Sequence, residues 1–464
     1  MRSDRNAPAH TTGGAASLGG VASPWPWAVL AWAALLVAVV VSFRPTVPII
    51  WGDTPPFVES AFLTLEAGRP TVAGGRDPGY PALLAVTFAF GGDLGTVVRI
   101  QQTAWAVLIL ALAATAQAST RSAAGLVPII FVAMYPGLLL FRHVLTADLL
   151  FAVFINLAMA GLLVATCVGR TTRCCAVAGA VLCAALAACL RSQGMLVPIA
   201  VVLMGACVAR PDTPARIAVI TLSVAAALAL LAAGSRFGAS DSDRASTVFL
   251  PKTLFCNHLN IVLASDAARR EIVSAAGDLA DDTGNAVGAA AAYRRVFLAA
   301  VRDRPLAYAG KFVHQMAYGA SVAWPRYGLE PAIPVSSDDV PLVSEIMARH
   351  GRAAQPTDLQ GGPVRIGLLS DLPGVSPHLF EALSTAFVVA VIFWALTAVR
   401  RRRSRFLTRA GIVIVMWVAS IVTAAAAHTL DVSRYLVPAV PMVGLMLSLF
   451  AVELTETIAC LRRG

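Results

Sequence analysis

The chain has 464 residues, 58% of them hydrophobic and only 13% charged, with a mean hydropathy of +0.73. A soluble domain carries roughly twice that share of charge, so composition excludes a soluble enzyme, a disordered regulator and a disulfide-stapled secreted module. The formal charge of +10 arises from 36 Lys+Arg against 26 Asp+Glu; an excess confined to short loops on one membrane side reports orientation, not a nucleic-acid partner.

Residues 1–23, rich in Ala, Gly, Thr and Ser, read as a disordered cytoplasmic tail. Apolar stretches of about 17 to 25 residues, the length that crosses a bilayer, begin near Trp25, Gly95, Ala123, Val144, Cys174, Gly194, Ala215, Leu379, Thr408 and Arg434. The expected fold is therefore an all-α polytopic membrane protein of about ten transmembrane helices. The first run, Trp25 to Phe43, follows a long polar tail and lacks a small-x-small cleavage site, so it reads as a retained span. With the N-terminus inside, 15 arginines fall on six cytoplasmic segments: Arg2, Arg5, Arg121, Arg170, Arg173, Arg210, Arg216, Arg400, Arg401, Arg402, Arg403, Arg405, Arg409, Arg462 and Arg463. The short loops and caps opposite hold Asp53, Glu59, Glu66, Asp77, Asp93, Asp148 and Asp431. This asymmetry sets a cytoplasmic N-terminus.

Two outer segments are long. Within the first, residues 44–94, Pro55 to Ala67 and Gly79 to Phe90 read as helices lying along the membrane interface; Phe57, Ala61, Phe62 and Leu65 share one face of the former, opposite Glu59, Ser60 and Glu66. The second, residues 235–377, mixes Asp, Arg and Gly with helical stretches such as Ala286 to Asp303 and reads as a small α-rich periplasmic domain. Leu306 to Trp324 is interrupted by Lys311, His314 and Gln315 and reads as an interface helix, not an eleventh span. The chain thus divides into a transmembrane module at 24–234, the loop domain at 235–377 and C-terminal transmembrane helices at 378–464. Seven of the eight cysteines lie in or beside apolar runs and Cys256 alone in a long polar segment, so no disulfide is expected there.

The chemistry concentrates at the outer ends of spans. In Trp51-Gly52-Asp53-Thr54-Pro55-Pro56 an acid emerges just before a prolyl-initiated helix. Two roles fit Asp53: a base beside the headgroup plane, or, with Thr54, a cap for that helix. In Arg76-Asp77-Pro78-Gly79-Tyr80-Pro81, Arg76 and Tyr80 flank a tight turn, and Arg76 either grips a phosphate or pairs with Asp77. Asp148 sits about one turn inside the fourth span, where a carboxylate is costly unless paired, with Arg142 or His143 as partner. Arg434, Arg191, Arg76, Arg99 and Lys311 are the outer cations with apolar flanks suited to a phosphate, and Tyr435 beside Arg434 is placed to stack on a bound headgroup; the alternative for each arginine is a snorkelling anchor. The histidines are scattered without i, i+4 spacing, and no GxxxxGK[ST], HExxH or CxxC occurs, so neither a metal nor another cofactor is expected.

The order span, Asp53 loop, interfacial helix, Arg76-Asp77-Pro78-Gly79-Tyr80-Pro81, Arg99, Tyr135-Pro136 and Asp148, with the later Leu190-Arg191-Ser192-Gln193-Gly194 and Ser433-Arg434-Tyr435-Leu436-Val437-Pro438, resembles membrane glycosyltransferases of the GT-C class, specifically the protein mannosyltransferase and aminoarabinose transferase group. The resemblance covers most of the transmembrane part and is thin over residues 235–377. It implies an inverting transferase in the bacterial inner membrane that takes a sugar from a polyprenyl-phosphate donor on the periplasmic side and gives it to a glycan, lipid or protein acceptor, without a metal. By position it makes Asp53 the first-loop catalytic acid and Asp148 the second acidic position. Thr54 departs from the group, many of whose members carry a second acid there. Two other classes are weighed. A flippase or transporter favours mid-membrane charges and duplicated halves, neither of which is apparent. An O-antigen ligase or polymerase accounts for the long loop but not for the Asp53 loop and its helix.

Overall fold

The computed structural model describes residues 48–69, 71, 77–135, 138, 141–191, 194–209, 244–280, 284–320, 339–352, 377–400, 405–427 and 437–462, with isolated residues elsewhere. Their regular structure is helical throughout, apart from one isolated parallel bridge between Ile49 and Val144. In chain order the helices are α1 (Thr54–Ala67), α2 (Gly79–Ala89), α3 (Leu94–Thr120), α4 (Leu126–Met134), α5 (Asp148–Cys167), α6 (Arg170–Leu190), α7 (Leu196–Ala209), α8 (Arg244–Asn257), α9 (Leu259–Ala264), α10 (Asp266–Ser274), α11 (Ala276–Ala280), α12 (Ala286–Asp303), α13 (Pro305–Ala320), α14 (Asp339–Arg349), α15 (Pro377–Arg400), α16 (Arg405–Ala427) and α17 (Val440–Leu461).

Local chemistry sets the boundaries. Pro55 and Pro56 open α1 and left-handed Gly68, at φ 61°, closes it. Asp93 opens α3 with a reciprocal capping box: its carboxylate accepts from the Thr96 backbone N–H at 2.7 Å, while the Asp93 N–H donates to the Thr96 hydroxyl.

Six helical stretches among the described residues are long and apolar enough to cross a membrane: 94–120, 148–167, 170–190, 382–399, 406–426 and 437–461. Two of the ten expected runs correspond, among the described residues, to helices shorter than a span. In the run from Ala123, the nine-residue α4 ends where Tyr135, preceding Pro136, takes an extended backbone (ψ 115°), the conformation that a following proline imposes. The run from Gly194 yields the 14-residue α7. The runs from Trp25 and Ala215 fall largely outside the described residues.

Helix α5 is the centre of the bundle, buried on most sides against α3, α6 and α7. Small residues let the backbones approach: a Cβ on Gly161 would stand 2.9 Å from the Ala176 carbonyl oxygen, and one on Gly444 of α17 would stand 2.9 Å from Pro128 Cα of α4. Helix α15 is peripheral and leaves Val388, Val389, Ile392 and Leu396 exposed, a face suited to lipid.

Both first-loop helices form where the sequence placed them. On α1, Phe57, Ala61 and Phe62 are buried as expected, but Leu65 is exposed and Ser60 is buried; the Ser60 hydroxyl avoids an unmet donor by bonding to the Pro56 carbonyl at 2.6 Å. The segment 244–303 builds two small apolar clusters of its own, one around Val248, Ala289 and Tyr293, the other around Ile261, Val296 and Ala300. Helix α14 behaves otherwise: Val340, Val343, Ile346 and Met347 join the main core against α1. His350, just beyond it, lies flat on Phe62 with ring centroids 4.2 Å apart and pairs with Glu66 at 2.9 Å. The long segment is therefore not wholly separate from the membrane module.

Candidate active site

Two stretches far apart in sequence are laced together at one end of the bundle. The Ile49 N–H donates to the His143 carbonyl at 2.9 Å, and the Leu145 N–H donates to the Ile49 carbonyl at 3.1 Å. The paired stretches run in the same direction, and both predicted acids lie four residues beyond the bridge, Asp53 after Ile49 and Asp148 after Val144. A third tie is Thr54: its hydroxyl accepts from the Trp51 N–H at 2.9 Å and donates to the Leu145 carbonyl at 3.1 Å. Thr54, fully buried, thus does the cross-linking at the start of α1, while the Asp53 side chain makes no cap bond to the helix and remains partly exposed. Of the two roles read for Asp53, the capping one is not realised.

Asp148 is the first residue of α5 and only 2% exposed. Its partner is neither Arg142 nor His143 but Arg191, the residue closing α6, whose Nη2 lies 2.8 Å from Oδ1 and 2.9 Å from Oδ2. The correction has a physical reason. A carboxylate at a helix N-terminus and a guanidinium at a helix C-terminus each meet a favourable dipole, and both are buried, so each needs the other. Arg142 instead places its guanidinium over the Trp105 ring at 4.4 Å. Arg191, expected as a phosphate ligand, has one arm committed to Asp148.

Tyr80 is also a core residue, not a surface contact. It is fully buried, edge-on to Phe57 at 5.0 Å, and donates its hydroxyl to Gln101 Oε1 at 2.7 Å. Burial, with a smaller contribution from the Asp148 charge, raises its phenol well above the ordinary value. Gln101 passes the tie onward, its amide donating to the Phe141 and Val144 carbonyls at 2.9 Å each. Helix α2 reaches this position because residue 79 is glycine: a Cβ there would stand 2.7 Å from the Cys189 carbonyl, two residues before Arg191.

Asp53, Asp148, Arg191 and Tyr80 therefore belong to the same end of the bundle. Arg99 is exposed near the start of α3, at that end. Lys311 is on α13, where its ammonium donates to the Asn257 carbonyl and burial pushes its pKa down; α13 is tied to the end of α16 by the Tyr308 hydroxyl donating to the Ala426 carbonyl at 3.2 Å. Arg76, Arg434 and Tyr435 lie outside the described residues. The string carrying Arg434 ends at Pro438, whose carbonyl accepts from the buried Asn156 amide at 2.9 Å, two turns into α5 from Asp148. Among the described residues no group of three or more His, Cys, Asp or Glu is arranged to hold a metal ion.

Two contributors, Gln101 and Asp339, were not singled out from the sequence, and Thr54 was read only as a cap. Gln101 is a polar residue in an apolar setting, which is the one signal that marks it. Asp339, at the start of α14, brings its carboxylate to the turn beside Asp53: a Cβ on Gly52 would stand 3.8 Å from its Oδ2. Nothing in the sequence links residues so far apart.

No protein-family model matches the chain, and no curated protein does. Among solved structures it is similar to the oligosaccharyltransferase of Archaeoglobus fulgidus, in a complex with Zn and sulfate (14% identity over 90% of this chain and 48% of that one, TM-score 0.42). It is also similar to the archaeal oligosaccharyltransferase AglB from the same organism, in complex with an inhibitory peptide and a dolichol-phosphate (13% identity, 95% and 51%, TM-score 0.42), and to ArnT from Cupriavidus metallidurans in the apo state (14% identity, 92% and 78%, TM-score 0.34). The chain spans about half the length of the two oligosaccharyltransferase structures. These proteins are GT-C glycosyltransferases, the class that the sequence motifs resemble.

Proposed function

We propose that the protein is an inverting glycosyltransferase of the bacterial inner membrane, moving a sugar from a polyprenyl-phosphate carrier to an acceptor hydroxyl on the periplasmic face. The observation that carries this reading is the lacing of the Asp53 loop to the stretch leading into α5, which puts the partly exposed Asp53 at the same end of the bundle as the buried Asp148–Arg191 pair. Asp53 accepts the proton of the acceptor hydroxyl as its oxygen attacks the anomeric carbon in line, and the lipid phosphate leaves from the opposite face, so a single displacement inverts the configuration. Asp148 is assigned a positioning role: buried and neutralised by Arg191, it fixes the start of α5 and the end of α6 around the site. The leaving phosphate needs cationic neighbours, and Arg434 with Tyr435 is the first candidate, with Arg76, Arg99 and Lys311 as others and Arg191 in a shared role.

The test is transfer from a polyprenyl-phosphate sugar in proteoliposomes. Asp53→Asn is expected to abolish transfer while the protein inserts and purifies as the parent does, and near-parental turnover rejects the assignment. Lipid-linked saccharide profiling of a deletion strain then identifies the donor, which accumulates when its consumer is missing. Movement of the carrier across sealed vesicles without glycosyl transfer would instead identify a flippase.

A further inference from the structure

Helix α13 carries its apolar residues outward. At about 100° per residue, Leu306, Ala309, Gly310, Val313 and Ala317 fall within an arc of about 100°, and all five are exposed, Leu306 by 86% and Val313 by 63%. The polar residues lie on the opposite side and turn inward: Gln315 is 3% exposed, the Lys311 ammonium donates to the Asn257 carbonyl, and the Tyr308 hydroxyl donates to the Ala426 carbonyl. A helix packed on a domain in water shows the reverse, apolar inward and polar outward. Apolar outward with polar inward is the pattern of a helix whose solvent is lipid.

The place of α13 in the bundle agrees. Arg409, in the first turn and a half of α16, donates to Thr166 at the far end of α5, so Ala426, near the end of α16, lies where α5 begins, at the end of Asp53 and Asp148. Tyr308 is tied to that end, while Met316, about two turns further along α13, packs against the main apolar core of the bundle. The helix has 16 residues, a length of about 24 Å. The chain is back at the first end by Asp339, whose carboxylate stands beside Gly52 in the Asp53 turn. The elbow that leads into α13 is basic: Arg302 and Arg304 are exposed and reach no carboxylate at ion-pair distance among the described residues, and Asp303 between them accepts a hydrogen bond from the Ser265 hydroxyl.

We propose that α13 is a re-entrant helix seated in the leaflet on the Asp53 side, its outward face against the acyl chains of anionic phospholipid whose headgroups are held by Arg302 and Arg304. The two arginines precede Leu306 closely in the chain, so their long side chains reach headgroups while Leu306 and Val313 lie among the chains. Backbone entering a leaflet and returning is tolerated when its polar groups are met by protein, as the inward side of α13 provides. Lipid fits this face better than a second copy of the chain because the face continues along the periphery of the spanning helices: α13 packs on α15 and α16, and α15 itself leaves Val388, Val389, Ile392 and Leu396 exposed. Nothing in this seating depends on glycosyl transfer.

The experiment attaches a fluorophore to Val313→Cys in a full-length variant freed of its other accessible cysteines and reconstituted in vesicles of phosphatidylglycerol and phosphatidylcholine. Lipids brominated on their acyl chains are expected to quench the probe, and iodide present on both sides of the membrane is not. A second measurement takes Tm of the purified parent in neutral detergent against each lipid. Phosphatidylglycerol should raise Tm saturably and phosphatidylcholine much less, and Arg302→Gln/Arg304→Gln should weaken the phosphatidylglycerol effect by roughly fivefold for each arginine removed. The proposal is overturned if iodide quenches the probe, or if neither quencher reaches it, as when a second copy of the chain covers the face. It is overturned equally if phosphatidylglycerol protects the parent no better than phosphatidylcholine, or protects the double variant as well as the parent.

Discussion

The Asp148–Arg191 contact joins side chains 2% and 10% exposed, with one guanidinium nitrogen within 2.9 Å of both carboxylate oxygens. Such a pair contributes little net stability, but removing one member strands a buried charge at a cost of about 3–5 kcal/mol. Asp148→Asn and Arg191→Met alone are each expected to depress thermal stability strongly, whereas the double variant Asp148→Asn/Arg191→Met recovers most of it. If the pair positions the site, the double variant remains folded yet keeps a lowered kcat with little change in KM; recovery of parental kcat would reduce the pair to a structural tie. Asp148 was legible as an acid needing a partner, because a charge inside an apolar run is costly. Arg191 as that partner was not, since Arg142 and His143 are nearer in sequence and only the packing of α5 on α6 decides among them.

At the scale of single elements, the chain announces those helices whose ends carry local chemistry. The prolines and Gly68 around α1, and Asn285, whose side chain accepts from the Gly288 N–H before α12, delimit helices at or within a residue of the sequence reading. An element governed by a distant contact was not legible: α14 is drawn to α1 by apolar residues of ordinary appearance. The capping box of α3 offers a test. Asp93→Ala should cost about 1 kcal/mol, seen as a Tm lowered by roughly 1–2 °C. The hydrogen bonds from the Thr96 side chain and backbone hold the Asp93 carboxyl below its ordinary value, so its folded pKa is depressed. Its contribution is therefore complete above the ordinary carboxylate pKa and fades as pH falls through the lower folded value. The difference in Tm between parent and Asp93→Ala should be constant near neutrality and shrink below about pH 4; a gap that persists in strong acid would show that the cap bond does not depend on the charge.

For the molecule as a whole, the arginine distribution and the placing of the candidate site make one joint demand. The Asp53 and Asp148 end and the helices of residues 244–320 must face away from the cytoplasm, while the chain's last arginines face it. Two exposed cysteines sit at the extremes of that axis: Cys256 near the end of α8, and Cys460 at the end of α17 beside Arg462 and Arg463. In variants retaining either cysteine alone, a membrane-impermeant maleimide added to intact spheroplasts should label Cys256 and spare Cys460, and permeabilisation should expose both. The reverse pattern would put Asp53 in the cytosol, where a lipid-linked sugar presented on the outer leaflet is out of reach. It would remove the proposed transferase while leaving the helix packing and the Asp148–Arg191 pair as they stand.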